Sequence, residues 1–425
     1  MKKINLKESQ IFWLLGLISF LVFFVLLVFF LKINGKNGSY IFTHSPFNYF
    51  SWLASSFLDG RLDVSPVNGV IHDLSNYKEK YYLYWPPAPA VVLTPFVYLF
   101  GINLPDRLIS ISLSALNVTL MMFVIRRLSD FLGFGLKTWA VILLGVFWGF
   151  GTVNFSVGFE GSVWYISQVF SLTFLITSLY FFLAKNPKYL LSGFFFTLAV
   201  YTRNTMVFTG LVYLYIIFLQ QKSDWKKSII SALKFGSMFI AGSLLYLWYN
   251  YARFDNAFDN GLAKHNMGWW YRAGYEKYGY FNTHFIPNNL YYEWFRMPDF
   301  VNKFPFIGFI DLKGFGMFWA SSVLVLLVLL IFNFKKSEKT EYKIFNVLNL
   351  LNIGIVLTLI TMIMGRGVQF GARYSLDYYI SIMFLLVFVF QKYQENKIFK
   401  ATFLILLIIS VYINTVGAYY MAIRW

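Results

Sequence analysis

The chain contains no cysteine in its 425 residues. That excludes disulfide staples and thiolate metal sites, and it leaves thiols silent about the redox compartment. Charge is scarce: only 13% of residues are Asp, Glu, Lys or Arg, and 19 acids stand against 36 basic residues. No segment forms the basic soluble domain that a nucleic-acid partner requires, so the net charge of +17 has another origin. Histidines number four, and His72, His265 and His284 lack the i,i+4 spacing that holds a metal on a helix. No acid cluster resembles a closed cation cage, so neither a metal nor another cofactor is expected. Heptads, repeats of about 20–50 residues and low-complexity tracts are also missing.

What is present is apolar: 58% of the chain is hydrophobic and 22% aromatic, the composition of a polytopic membrane protein. The first long run, Ile11 to Leu31, has no charge, and about 20 such residues cross a hydrocarbon core of ~30 Å. It follows Met1-Lys2-Lys3 without a small-residue cleavage site, which reads as a retained first helix rather than a removed signal. Hydrophobic runs near 11–33, 104–125, 138–154, 163–184, 189–202, 205–220, 229–250, 315–333, 344–364, 375–390 and 401–418 predict about eleven spans. The fifth and sixth are short and meet at Tyr201-Thr202-Arg203-Asn204-Thr205, as tilted or broken helices do. Residues 86–101 are too short and proline-rich to span and are expected to lie against the membrane surface. The expected fold class is therefore an all-α polytopic membrane protein, one membrane domain over 1–425 with external loop regions at 34–103 and 251–314.

Orientation follows from charge. With a cytoplasmic N-terminus, segments 1–10, 126–137, 185–188, 221–228, 334–343 and 391–400 face the cytoplasm. They hold 18 of the 36 Lys/Arg but only six acids, Glu8, Asp130, Asp224, Glu338, Glu341 and Glu395. Short basic loops then mark the inner face, and every long or acid-rich loop falls outside.

The first external loop concentrates polar chemistry beside an apolar helix end. It carries Asp59, Asp63 and the pair His72-Asp73, and runs into Tyr81-Tyr82-Leu83-Tyr84-Trp85-Pro86-Pro87-Ala88-Pro89. The second, with Trp269-Trp270-Tyr271, Tyr275, Tyr278 and Tyr280, is too aromatic for a solvated linker and too polar to span. Partial burial against the first loop accounts for that mixture.

Several tracts occur in a recognisable order. They are Phe50-x3-Ala54-x2-Phe57-Leu58-x-Gly60-Arg61, then Asp73, Tyr81-x2-Tyr84-Trp85-Pro86-Pro87-Ala88-Pro89, Gly158-Phe159-Glu160-Gly161-Ser162-Val163-Trp164, Tyr201-Thr202-Arg203, Tyr249-Asn250-Tyr251-Ala252-Arg253-Phe254 and Gln369-Phe370-Gly371-Ala372-Arg373-Tyr374-Ser375-Leu376-Asp377. Together they resemble the multispanning glycosyltransferases of the GT-C fold, on the side of the dolichyl-phosphate-mannose protein mannosyltransferases and aminoarabinose transferases. The resemblance implies a GT-C-like helical bundle that moves a sugar from a polyprenyl-phosphate donor to a saccharide, lipid or protein acceptor on the non-cytoplasmic side. One tract departs from the pattern: the Asp-Glu pair those enzymes carry just after the first helix would align with Ser45-Pro46-Phe47-Asn48. The base then comes from farther along the loop, or the chemistry is lost.

An inverting transfer needs a carboxylate to accept the acceptor proton and cations to hold the departing phosphate. Asp73 is the first candidate base, ahead of Asp63 and then Asp59, with His72 in support; the competing reading makes Asp73 the N-cap of a helix starting at Leu74-Ser75. Arg203, Arg253, Arg366 and Arg373 are the candidate phosphate ligands, since a guanidinium fork donates two parallel hydrogen bonds. Arg203 interrupts an apolar stretch, where an ionisable residue is costly; the alternative is snorkelling to the interface. Asp377, four residues after Arg373, is expected to pair with it on a helix, and Glu160 to assist. Trp85, Trp269, Trp270 and Tyr271 are candidates for contact with sugar or isoprenoid, although Trp and Tyr also populate every membrane interface. The absence of organelle signals favours a bacterial inner membrane. A transporter or flippase of a lipid-linked saccharide, or an inactive GT-C-like assembly protein, are the competing functions.

Overall fold

In a computed structural model, which describes residues 6–331 and 339–424, the chain is almost entirely helical, with one two-stranded sheet among the described residues. The helices follow the hydrophobic runs. The first, α1 (Leu6–Ile33), is apolar on all faces and leaves Leu14, Leu17, Leu21, Val25 and Phe29 exposed, as a lipid-facing helix does. After it come α2 (Tyr49–Leu58), the hairpin β1 (Ser75–Tyr77) and β2 (Lys80–Tyr82), and α3 (Ala88–Phe100). Lys78 and Glu79 take positive φ, the conformation a two-residue turn between antiparallel strands demands. Helix α3 packs beside α2 and leaves Val91, Phe96, Tyr98, Leu99 and Phe100 exposed.

The bundle continues through α4 (Asp106–Leu132), α5 (Thr138–Phe150), α6 (Val153–Gly158), α7 (Val163–Phe182), α8 (Tyr189–Val200), α9 (Gly210–Gln220) and α10 (Trp225–Phe254). Buried polar contacts tie it together. Arg126 of α4 pairs with Glu8 of α1, and the Asp106 carboxylate accepts from the Ser45 N–H and hydroxyl at 2.9 and 2.6 Å. A Cβ on Gly193 would fall 2.1 Å from the Phe235 carbonyl oxygen, so this glycine sets the close approach of α8 to α10.

The second loop region holds the short helices α11 (Trp269–Tyr278) and α12 (Ile286–Leu290), the latter running into a π-helical turn at Tyr291–Phe295. The chain then returns through α13 (Met317–Ala320), a 3-10 stretch Ser322–Val328, α14 (Thr340–Thr361), α15 (Tyr379–Tyr393) and α16 (Lys397–Ala422). Caps set two of the starts: Asp224 accepts from the Lys227 N–H ahead of α10, and Asn396 from the Phe399 N–H ahead of α16.

Six of the described helices are long and apolar enough to cross a membrane: α1, α4, α7, α10, α14 and α16. Six of the about eleven expected spans thus carry helices of spanning length. The remaining expected positions carry apolar helices of 10–17 residues. Identifiable features bound them: Thr152 caps a new helix after Gly151, Arg203 stands in extended conformation between α8 and the next 3-10 turn, Ser321 breaks the helix after Ala320, and the 3-10 turn Arg373–Asp377 delays the start of α15. The fold is that of an all-α membrane protein.

The two loop regions meet at one end of the bundle. The Asp73 N–H donates to the Asn266 carbonyl, the Asn266 N–H to the Leu74 carbonyl, and Ser75 pairs with His265 as an isolated bridge. The C-terminal ends of α10, α14 and α16 and the N-terminal ends of α7 and α15 converge beneath them.

Candidate active site

Between the loop regions and these helix ends lies a cavity of about 760 Å³. The first loop contributes Phe47, His72, Asp73, Tyr84 and Trp85, and the start of α7 contributes Trp164 and Tyr165. Arg203 enters from the break after α8. The second loop adds His265, Trp270, Tyr271, Tyr280, Leu312 and Lys313, the segment after α14 adds Arg373 and Tyr374 among others, and Arg424 follows α16.

Asp73 caps no helix, because the residues after it form a strand. Its φ of +59° is a left-handed conformation that Asp tolerates better than most residues, and the Asn266 carbonyl holds its N–H at 3.0 Å. One carboxylate oxygen, Oδ2, accepts from the Trp164 indole Nε1–H at 2.9 Å; the other, Oδ1, lies 3.7 Å from His72 Nε2. Phe47, Trp164 and Trp270 surround the His72 ring. Trp164 also reaches the cations, since its carbonyl accepts from Arg373 Nη1 at 2.9 Å.

Arg203 and Asp377 form a bidentate pair, Nε to Oδ1 and Nη2 to Oδ2, both 2.7 Å. Thr205 donates to the same carboxylate at 2.7 Å. The fork faces its carboxylate with one edge, so Nη1 has no partner in these pairings and the residue lines the cavity rather than snorkelling away. Asp377 does not pair with Arg373. Residues 373–377 are a 3-10 turn, in which positions i and i+3 align and i+4 is rotated away from i, so the α-helical spacing does not apply.

Arg373 is 4% exposed, and its side-chain hydrogen bonds among the described residues go to neutral groups: the Trp164 carbonyl, Gln168 Oε1 at 3.3 Å and Tyr374 Oη at 3.2 Å. It stacks over the rings of Tyr165 and Tyr374. Arg424 donates to Tyr165 Oη at 2.8 Å and faces the same ring. The lining therefore holds four basic side chains, Arg203, Arg373, Arg424 and Lys313, against one carboxylate, Asp73, and Arg203 already has a counter-ion in Asp377 behind the wall. Burial pushes the Tyr84 and Tyr280 phenols well above their ordinary range, with Asp73 adding to it, so both remain hydrogen-bond donors to whatever occupies the cavity.

Other expected site residues are placed elsewhere. Asp63 is held by Arg61 at 2.9 Å and Lys80 at 3.6 Å, and Asp59 by Arg61, outside the lining. Arg253 is buried at the end of α10, where it donates to the Leu83 carbonyl at 2.7 Å and Asn250 Oδ1 at 2.8 Å and fastens the first loop. Arg366 pairs with Glu293, both buried, behind Tyr374. Glu160 is buried and accepts from the Ser162 hydroxyl at 2.6 Å, next to Asp106. Trp269 is 80% exposed and packs edge-on against Trp270 without lining the cavity. Sequence reasoning missed Trp164 as a partner of Asp73, and it missed Lys313, Tyr280, Tyr374 and Arg424. Trp164 and Tyr374 stand inside the ordered tracts, Tyr280 belongs to the aromatic second loop, and Arg424 is a cation just past the last apolar run; only Lys313 left no signal.

Comparison with known proteins adds no relative: no family model, no curated protein and no solved structure matches the chain.

Proposed function

We propose that the chain is a membrane glycosyltransferase of the GT-C kind, transferring a sugar from a polyprenyl-phosphate donor to an acceptor at the loop end of the bundle. The observation that carries this reading is the gathering of Asp73 with Arg203 and Arg373 in one aromatic-walled cavity. Besides the Arg203–Asp377 pair, the lining sets Arg373, Arg424 and Lys313 against one carboxylate, an excess of positive charge that attracts an anionic ligand, and a buried arginine hydrogen-bonded to neutral groups is costly until such a ligand arrives.

In the proposed step an acceptor hydroxyl attacks the anomeric carbon as the bond to the donor phosphate oxygen breaks. The phosphate leaves with the bonding electrons and Asp73 Oδ1 takes the hydroxyl proton. The Trp164 N–H holds the other oxygen and so fixes the carboxylate. Arg203 and Arg373 stabilise the growing negative charge on the phosphate. Trp85, Trp270, Tyr271 and Tyr280 supply ring faces and phenols for a sugar. The same reading puts the loop end outside a bacterial inner membrane, with the N-terminus cytoplasmic.

The test is formation of a glycosidic bond by the purified protein in liposomes, with polyprenyl-phosphate sugars and candidate acceptors. Transbilayer movement of a lipid-linked saccharide with no bond formed would replace this reading with the transporter one.

A further inference from the structure

Residues 299–311 form a hairpin that projects from the second loop region and packs along the side of α16. Phe300 and Ile307 pair across it, and the Val301 N–H donates to the Phe306 carbonyl at 3.0 Å. Its base is polar and tightly held. Arg296 pairs with Asp299 at 2.6 Å and Asp311 at 3.4 Å, and Asp299 Oδ2 accepts from the Ile310 and Asp311 N–H groups. Beyond the base the character reverses. Phe300 is 61% exposed, Phe304 79%, Phe306 55% and Ile310 73%, a dense apolar surface for so short a segment in water.

The contacts with α16 set the depth. Tyr420, two residues from the end of the helix at Ala422, donates to the Ile307 carbonyl at 3.2 Å, whereas Tyr412 donates to the Pro305 carbonyl. Tyr412 is ten residues from that end, so the hairpin tip meets the helix roughly 15 Å along its axis at about 1.5 Å per residue. The 26 residues of α16 extend about 39 Å, some 9 Å more than a hydrocarbon core of ~30 Å. Even with all of that excess at the loop end, the tip lies about 6 Å inside the apolar layer. On the same side of α16, Ile405, Ile408 and Ile409 are exposed just beyond Tyr412, so the apolar surface of the hairpin continues the lipid-facing surface of the helix.

We propose that this hairpin is seated in the bilayer at the boundary between headgroups and acyl chains. Phe304, Phe306 and Ile310 contact lipid, and the Arg296–Asp299–Asp311 base stays among the headgroups. The exposed Asn302 and Lys303 at the turn fit that depth, because a lysine stem lies along apolar surface while its ammonium turns toward water. Leu312 and Lys313 follow directly and line the cavity, tied by the Gln369 N–H to the Leu312 carbonyl at 2.8 Å and by Gln369 Nε2 to the Lys313 carbonyl at 3.0 Å. The membrane thus buttresses one wall of the cavity, whatever ligand the cavity takes.

The cysteine-free chain makes the test direct. Phe304→Cys in the full-length protein is labelled with an environment-sensitive fluorophore and reconstituted in phosphatidylcholine liposomes. Glu79→Cys serves as the aqueous reference and Ile408→Cys as the deep lipid reference. The expected result at position 304 is blue-shifted emission, loss of quenching by aqueous iodide relative to position 79, and quenching by lipids carrying a nitroxide high on the acyl chain. Iodide quenching equal to that at position 79, with no lipid quenching, would overturn the proposal; quenching only by deep nitroxides, as at position 408, would overturn the boundary placement. Should Phe304→Cys fail to fold, Ile310→Cys reports on the same surface with the same outcomes.

Discussion

Arg203 and Asp377, 174 residues apart, are locked by two parallel hydrogen bonds of 2.7 Å each, with Asp377 fully buried behind the cavity wall. The aspartate is held a third time by Thr205, so it acts as the fixed member and presents the guanidinium to the cavity.

Arg203→Lys keeps the charge but cannot span both carboxylate oxygens and still face a phosphate. Loss of one charge-assisted hydrogen bond, ~1.5–3 kcal/mol, weakens binding of a polyprenyl phosphate roughly 10- to 100-fold in the folded, purified variant. Asp377→Asn should give a similar loss through misorientation. Unchanged affinity in Arg203→Lys would remove Arg203 from the site.

Two buried arginines a few residues apart in sequence should behave oppositely. Arg366 has its counter-ion in Glu293, and both side chains are almost wholly buried. Glu293→Gln strands the guanidinium, a change that costs about 3–5 kcal/mol and should lower the thermal midpoint in detergent markedly. Arg373 hydrogen-bonds to neutral groups, so Arg373→Gln should disturb stability far less while weakening phosphate binding. Equal destabilisation by both variants would make Arg373 a structural residue.

The contrast also shows what a single sequence can reveal. Hydrophobic runs located the helices, and the break around Arg203 was readable because a charged residue interrupts an apolar stretch. The pairing of Asp377 was not readable, since the expected i,i+4 contact assumed an α-helix where the chain makes a 3-10 turn. Nor could local spacing separate Arg253 and Arg366, each satisfied by distant partners, from Arg203 and Arg373; that distinction rests on contacts such as Arg253 with Leu83, 170 residues away. Trp164 stands inside one of the ordered tracts, but nothing local shows that its indole N–H reaches Asp73, 91 residues away.

The orientation has its own test. Cysteines placed at Gly60 and Gly274, in the loop regions, should react with an impermeant thiol reagent in intact cells, while one at Glu395, exposed between α15 and α16 at the opposite end of the bundle, should resist it. Glu338, expected on the cytoplasmic side as well, lies outside the described residues. Strong labelling through Glu395→Cys would reverse the orientation and put the cavity on the cytoplasmic face.

The last expectation concerns Asp73 and the tryptophan that holds it. Asp73→Asn preserves size but cannot take a proton, and a positioned base contributes about 10²–10⁴-fold, roughly 3–5 kcal/mol of barrier. The variant should bind donor normally and transfer sugar slowly. Trp164→Phe removes only the indole donor of a 2.9 Å hydrogen bond and keeps a ring against Phe47. Its kcat should fall by about 10-fold, the equivalent of one such bond at ~1.4 kcal/mol, with KM for the donor little changed. A merely structural tryptophan would instead lower the yield of folded protein and leave the kcat of the folded fraction intact. Should Asp73→Asn turn over within about threefold of the parent while Asp63→Asn is inactive, the base is Asp63, which would have to leave Arg61 and Lys80 to reach the cavity.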